Sequence, residues 1–139
     1  MRNTTYAQED YLPSAKKLLH IPFDITTVLY EEKALQQEIV SFHCVAALRK
    51  VLFDTLGFCL APCYVGELPL LLKAYNYEKV LTNQIQNGDI MCLRKKTRDR
   101  ISHVVLGLQN QYVFHACRSR GTVIELLSCL EDEYFTIVD

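Results

Sequence analysis

The hydrophobic pattern of this 139-residue chain changes period at Gln86-Asn87-Gly88-Asp89, a turn signal. Ahead of that turn the apolar residues follow a helical step. Val45, Leu48, Leu52, Phe53 and Leu56 recur at spacings of three and four, the stripe of an amphipathic helix. Ser41 is its expected N-cap and Gly57 its expected stop. Pro13 to Leu19 reads as a short helix that ends before Pro22, and Leu68 to Tyr77 as another. Glu31 to Glu38 is rich in helix formers. Behind the turn come short runs with strand character: Ile90–Leu93, Val104–Leu108, Tyr112–Ala116, Thr122–Leu127 and Tyr134–Val138. Gln109-Asn110-Gln111 is a hairpin link between the second and third. Helices first and hairpins afterwards predict an α+β fold, with N-terminal helices packed on an antiparallel sheet of about five strands. No internal repeat or low-complexity tract interrupts it, so residues 1–139 read as a single domain.

Composition narrows the function classes. Half of the residues are hydrophobic, 22% are charged and the formal net charge is −1, so no global field draws the chain to nucleic acid or an anionic membrane. No apolar run approaches the roughly 20 residues of a membrane-spanning helix. The first ten residues lack the apolar stretch of a secretory signal, which predicts a cytoplasmic protein, or one exported without a leader. The six cysteines, at positions 44, 59, 63, 92, 117 and 129, lie mostly in apolar segments and read as free thiols of a reducing compartment. Cys59-Leu60-Ala61-Pro62-Cys63 lacks the second ligand pair of a structural zinc site.

Three residues carry chemistry. Cys44 stands at the start of the apolar helix, while His103 and His115 stand in two successive strand runs. A thiol near a helix N-terminus meets unpaired N–H groups and the positive dipole end, which are expected to lower its pKa and to serve as oxyanion donors. On a strand, residues two apart share a face, so a hairpin centred on Asn110 can bring the two imidazoles together, one as base and one as its orienter. Three readings of this trio are open: a nucleophile system, a buried thiol with two core histidines, or a zinc site made by all three.

Three blocks, in order, resemble the NlpC/P60 family of papain-like cysteine peptidases. Phe42-His43-Cys44-Val45-Ala46-Ala47-Leu48 resembles the family's nucleophile-bearing helix start. Gln86 to Leu93 resembles its Gly-Asp turn into the first sheet strand. Ser102 to Leu108 followed by Tyr112 to Ala116, with His115 twelve residues after His103, resembles its histidine strand and His-Ala strand. The likeness spans about residues 41–127 and leaves 1–40 as a divergent N-terminal part ahead of a 41–139 core. It implies Cys44 as nucleophile, His103 as general base and His115 as the residue that orients it. It also implies that Ser102, and more distantly Tyr30, border the substrate. The implied reaction is hydrolysis of an amide bond in a peptide or muropeptide, typically beside D-glutamate and a diamino acid in peptidoglycan stem peptides. The resemblance implies no cofactor and no metal. The chain departs from the family in having His43 where Asp is usual, Val45 and Ala46 where Ser and Gly follow, and no Trp anywhere. Those departures leave two alternatives: a thiol amidase or acyltransferase of the same fold acting on protein or lipid, and a non-catalytic descendant that binds a peptide.

Arg94 to Arg100 holds five basic residues and one acidic one between two strand runs. It reads as a solvated hairpin loop, or as a basic lip for a substrate bearing carboxylates. Nucleic acid is not its expected partner, because the rest of the chain is not basic.

Overall fold

The computed structural model describes residues 1–22, 43–80 and 84–136. The helix expected at 31–38, Tyr30 and Ser41 lie outside these residues. Helix α1 spans Leu12–Lys17, α2 Cys44–Leu56 and α3 Leu68–Ala74. The strands are β1 (Ile90–Lys95), β2 (Ile101–Gly107), β3 (Tyr112–Cys117), β4 (Gly121–Leu126) and the three-residue β5 (Tyr134–Thr136). They form one antiparallel sheet in the order β4-β3-β2-β1-β5, four full strands with β5 as a short edge on β1. No described helix is long and apolar enough to cross a membrane.

Strand alternation divides the sheet's side chains between two cores. Val104 and Leu106 of β2, with Phe114 and Ala116 of β3, pack under Val45, Leu48, Val51 and Leu52 of α2. On the opposite face Met91, Leu93, Val105 and Val113 pack with Ile85 and Leu130. Each fully buried aliphatic side chain contributes about 1.5–3 kcal/mol relative to exposure, so the α2 stripe is the main attachment of helix to sheet. Helix α2 stops at Gly57, whose φ of 67° is the left-handed conformation that a C-terminal glycine supplies.

Its start differs from expectation. The N-cap is His43, whose Nδ1 accepts from Val45 N–H at 3.2 Å and Ala46 N–H at 3.4 Å. Cys44 is therefore the first helical residue rather than the third. Preference rankings for caps put Ser far ahead of His, which is why the sequence points to Ser41.

The turn into β1 is held from the N-terminus. Buried Asp89 takes a bidentate pair from Arg2, with Nε at 2.7 Å and Nη2 at 2.9 Å, and also accepts from Gln86 N–H at 2.9 Å. Arg2 and Glu78 exchange backbone hydrogen bonds of 2.8 Å, which tie the same strap to the chain beyond α3. Gly107 ends β2 against this turn. A Cβ there would lie 2.5 Å from Gln86 O and 2.7 Å from Ile85 Cγ1.

Candidate active site

The ladder between β2 and β3 is short. It runs only through Leu106 opposite Phe114 and Gly107 opposite Val113, whereas β1–β2 and β3–β4 pair along most of their lengths. Towards the start of β2 and the end of β3 the two strands part, and side chains bridge the gap where backbone bonds are missing. His103 Nε2 and His115 Nδ1 are 2.8 Å apart, with ring planes at 80°. The predicted juxtaposition of the two imidazoles is therefore present. Both rings are buried, at 6% and 3% exposure.

The start of α2 meets the same gap from the other side. The backbone N–H groups of Val104, one residue beyond His103, and of Val45 favour the ionised form of the Cys44 thiol. His43, Cys44, Ser102, His103 and His115 all line one open cleft of about 980 Å³. Ser102 is on the cleft wall, but its Oγ accepts from Lys95 N–H at 3.1 Å, next to the bulge where β1–β2 pairing slips between Leu93 and Arg94. The basic loop contributes Lys95, Arg98 and Arg100 to the rim.

Electrostatics at the site corrects one expectation. The Cys44 thiol is not lowered. Burial pushes it up to about 11, and the N–H groups of Val104 and Val45, which pull it down, do not offset that desolvation. Burial, reinforced by the neighbouring His115 and Lys95, pushes His103 down to about 3. The resting pair is thus a neutral thiol and a neutral imidazole. The oxyanion expectation is also altered, because the N–H groups of Val45 and Ala46 are already held by His43.

Two residues around the histidines went unassigned in the sequence. Tyr134 of β5 stacks on His103 with centroids 5.3 Å apart and planes at 26°. Glu125 of β4 presents Oε2 to His115 Nε2 at 3.7 Å and pairs with Arg120 Nη2 at 2.6 Å. The signal for Glu125 was strand parity. His115 pairs with Val123 across β3–β4, so Glu125, two residues on, shares the histidine's face. The six cysteines are free thiols.

No family model and no curated protein matches the chain in sequence. Solved structures do match in shape. The NlpC/p60 domain of the peptidoglycan hydrolase SagA superposes with a TM-score of 0.59 at 13% identity, over 91% of this chain and 96% of that one. An NlpC/P60 family protein from Bacillus cereus ATCC 10987 gives 0.62 at 16% identity, over 91% of this chain and 38% of that one. An NLP/P60 family protein from Staphylococcus aureus Mu50, described as similar to a lipoprotein, gives 0.58 at 16% identity, over 99% of this chain and 42% of that one. The chain spans less than half of the last two. An α2-on-sheet core with the histidine pair at the parted strands is what this chain builds, and the fold it makes is the NlpC/P60 fold.

Proposed function

We propose that the protein is a cysteine hydrolase that cleaves an amide bond in a peptide, and that peptidoglycan stem peptides are its substrate. The observation that carries this reading is the 2.8 Å His103–His115 hydrogen bond in the cleft that Cys44 also lines. Cys44 is the nucleophile, His103 the base and His115 the group that orients it. Because His103 Nε2 is engaged with His115, its free ring nitrogen Nδ1 is the one that acts on the thiol.

The neutral resting pair sets the order of events. As the Cys44 sulfur bonds to the substrate carbonyl carbon, its proton passes to His103 Nδ1. The imidazolium then protonates the departing amine as the C–N bond breaks, leaving a thioester. Water, deprotonated by His103, attacks the thioester and releases the acid and the Cys44 thiol. The backbone N–H of Cys44, the first helical residue, and the dipole of α2 stabilise the oxygen on which charge develops. The basic rim suits a substrate with free carboxylates, as a stem peptide has. Ser102 borders the groove on the side of that rim.

The test is incubation of the protein and of Cys44→Ala with defined stem peptides containing γ-D-glutamyl-diamino acid bonds, followed by mass spectrometry. The expected outcome is a single new pair of fragments that Cys44→Ala does not produce. Intact peptides with the unmodified protein would sink the proposal.

A further inference from the structure

The histidine pair poses a question that two imidazoles alone do not answer. A neutral imidazole carries one proton and one lone pair, so the 2.8 Å contact can run in either direction. If His103 Nε2 donates to His115 Nδ1, His103 Nδ1 keeps its lone pair and can take a proton from the thiol. If His115 Nδ1 donates to His103 Nε2, the His103 proton is on Nδ1 and the base is blocked. An Asn or Gln orienter has a carbonyl oxygen to accept with, but a histidine needs a further group to decide its tautomer.

Glu125 is that group. His115 Nε2 is buried and has no hydrogen-bond partner among the described residues, and Glu125 Oε2 stands 3.7 Å from it. An ionised carboxylate only accepts, so it favours N–H over a lone pair on the nitrogen it faces. Glu125 is itself largely buried, at 11% side-chain exposure, and is held by Arg120, which is half exposed. The register of β3 and β4 fixes the approach, with His115 opposite Val123 and Val113 opposite Glu125. Other charges around the pair are cationic: Lys95 acts on His103 and Arg120 on His115. Among the described residues, Glu125 is the carboxylate that acts on the pair.

We propose that Glu125, clamped by Arg120, is a positioning residue that puts the His115 proton on Nε2 and so directs the His103–His115 hydrogen bond, leaving His103 Nδ1 free as the base. This rests on the hydrolase reading for its consequence, while the proton arrangement can be measured without any substrate. Glu125 lines the same cleft as the thiol, and its part in the reaction is to act through His115.

The experiment is long-range proton–nitrogen correlation NMR of the ¹⁵N-labelled protein near neutral pH, with the rings assigned through His103→Gln and His115→Gln. Expected for the native chain is Nε2–H with unprotonated Nδ1 on both rings. Glu125→Gln, which conserves shape, is expected to populate Nδ1–H on both rings. It is also expected to lower kcat at least tenfold while KM stays within twofold. Arg120→Ala, a surface change, is expected to shift the same signals in the same direction but less. Native tautomers retained in both variants would overturn the proposal, whatever the peptide assay gives. Shifted tautomers in a protein whose unmodified form cleaves no stem peptide would support the proton arrangement and remove only the hydrolase reading.

Discussion

At the residue scale, the proposed nucleophile and the proposed base are both uncharged at rest. Burial holds the Cys44 thiol near 11 and His103 near 3, so neither ionises alone near neutral pH. Catalysis by such a pair depends on proton transfer during attack, and kcat/KM should be flat from about pH 5 to about pH 9. A single rise centred near 6.5 would mean that a histidine with an ordinary pKa limits the reaction. A second consequence concerns Cys117, also on the cleft wall. Burial pushes its thiol up, but hydrogen bonds from Ser119 and Arg120 outweigh this and leave it below the ordinary range. Thiolate is the reactive form, so a small neutral alkylating agent should modify Cys117 before Cys44 when no substrate is bound. Peptide mapping after a time course of iodoacetamide checks this order. Cys44 labelling first would mean that its thiol is activated at rest.

At the element scale, α2 is held at both ends by different devices. Gly57 closes it by conformation, and His43 opens it by accepting two N–H groups with one ring nitrogen. A side-chain cap contributes about 1 kcal/mol. His43→Ala should therefore lower stability by about 1 kcal/mol, and His43→Asp, which restores an acceptor of the kind found in the resembling family, should recover most of it. Chemical denaturation of the three proteins measures this, and an unchanged midpoint in His43→Ala would show that the cap carries no energy. The same helix shows why sequence legibility was uneven. Its apolar stripe and its glycine stop were readable, because periodicity and φ > 0 chemistry are local properties. Its cap was not, because a histidine acceptor is an uncommon solution that propensity does not single out. The hairpins were readable from alternation and turn residues, and His103 and His115 with them. The parting of β2 from β3 was not, nor was the place of Glu125 beside His115. Each depends on the register between strands, and register is settled by tertiary packing rather than by any one segment.

At the scale of the whole molecule, the two histidines couple the site to folding. Both are buried on the sheet face opposite α2's main contact, and both are pushed down by that burial, against the pull of Glu125 in the case of His115. A histidine depressed in the native state binds its proton more readily in the unfolded chain. Between the unfolded value near 6.5 and the native value near 3, the unfolded state therefore holds more protons, and stability falls as pH falls. Above about 6.5 both states are neutral at this site and the contribution is constant. From pH 7.5 to pH 5, His103 alone should remove about 2 kcal/mol from the unfolding free energy. His103→Gln cannot take up that proton, so its stability should depend less on pH over the same interval by about that amount. Urea unfolding of both proteins at the two pH values gives the comparison. Equal losses would mean that His103 protonates as easily in the native protein as in the unfolded chain, and the neutral resting pair inferred for Cys44 and His103 would fall with it. A smaller loss in His103→Gln would tie the acid limit of folding to the residue assigned as base: the same desolvation that keeps His103 unprotonated at neutral pH makes the fold yield to acid.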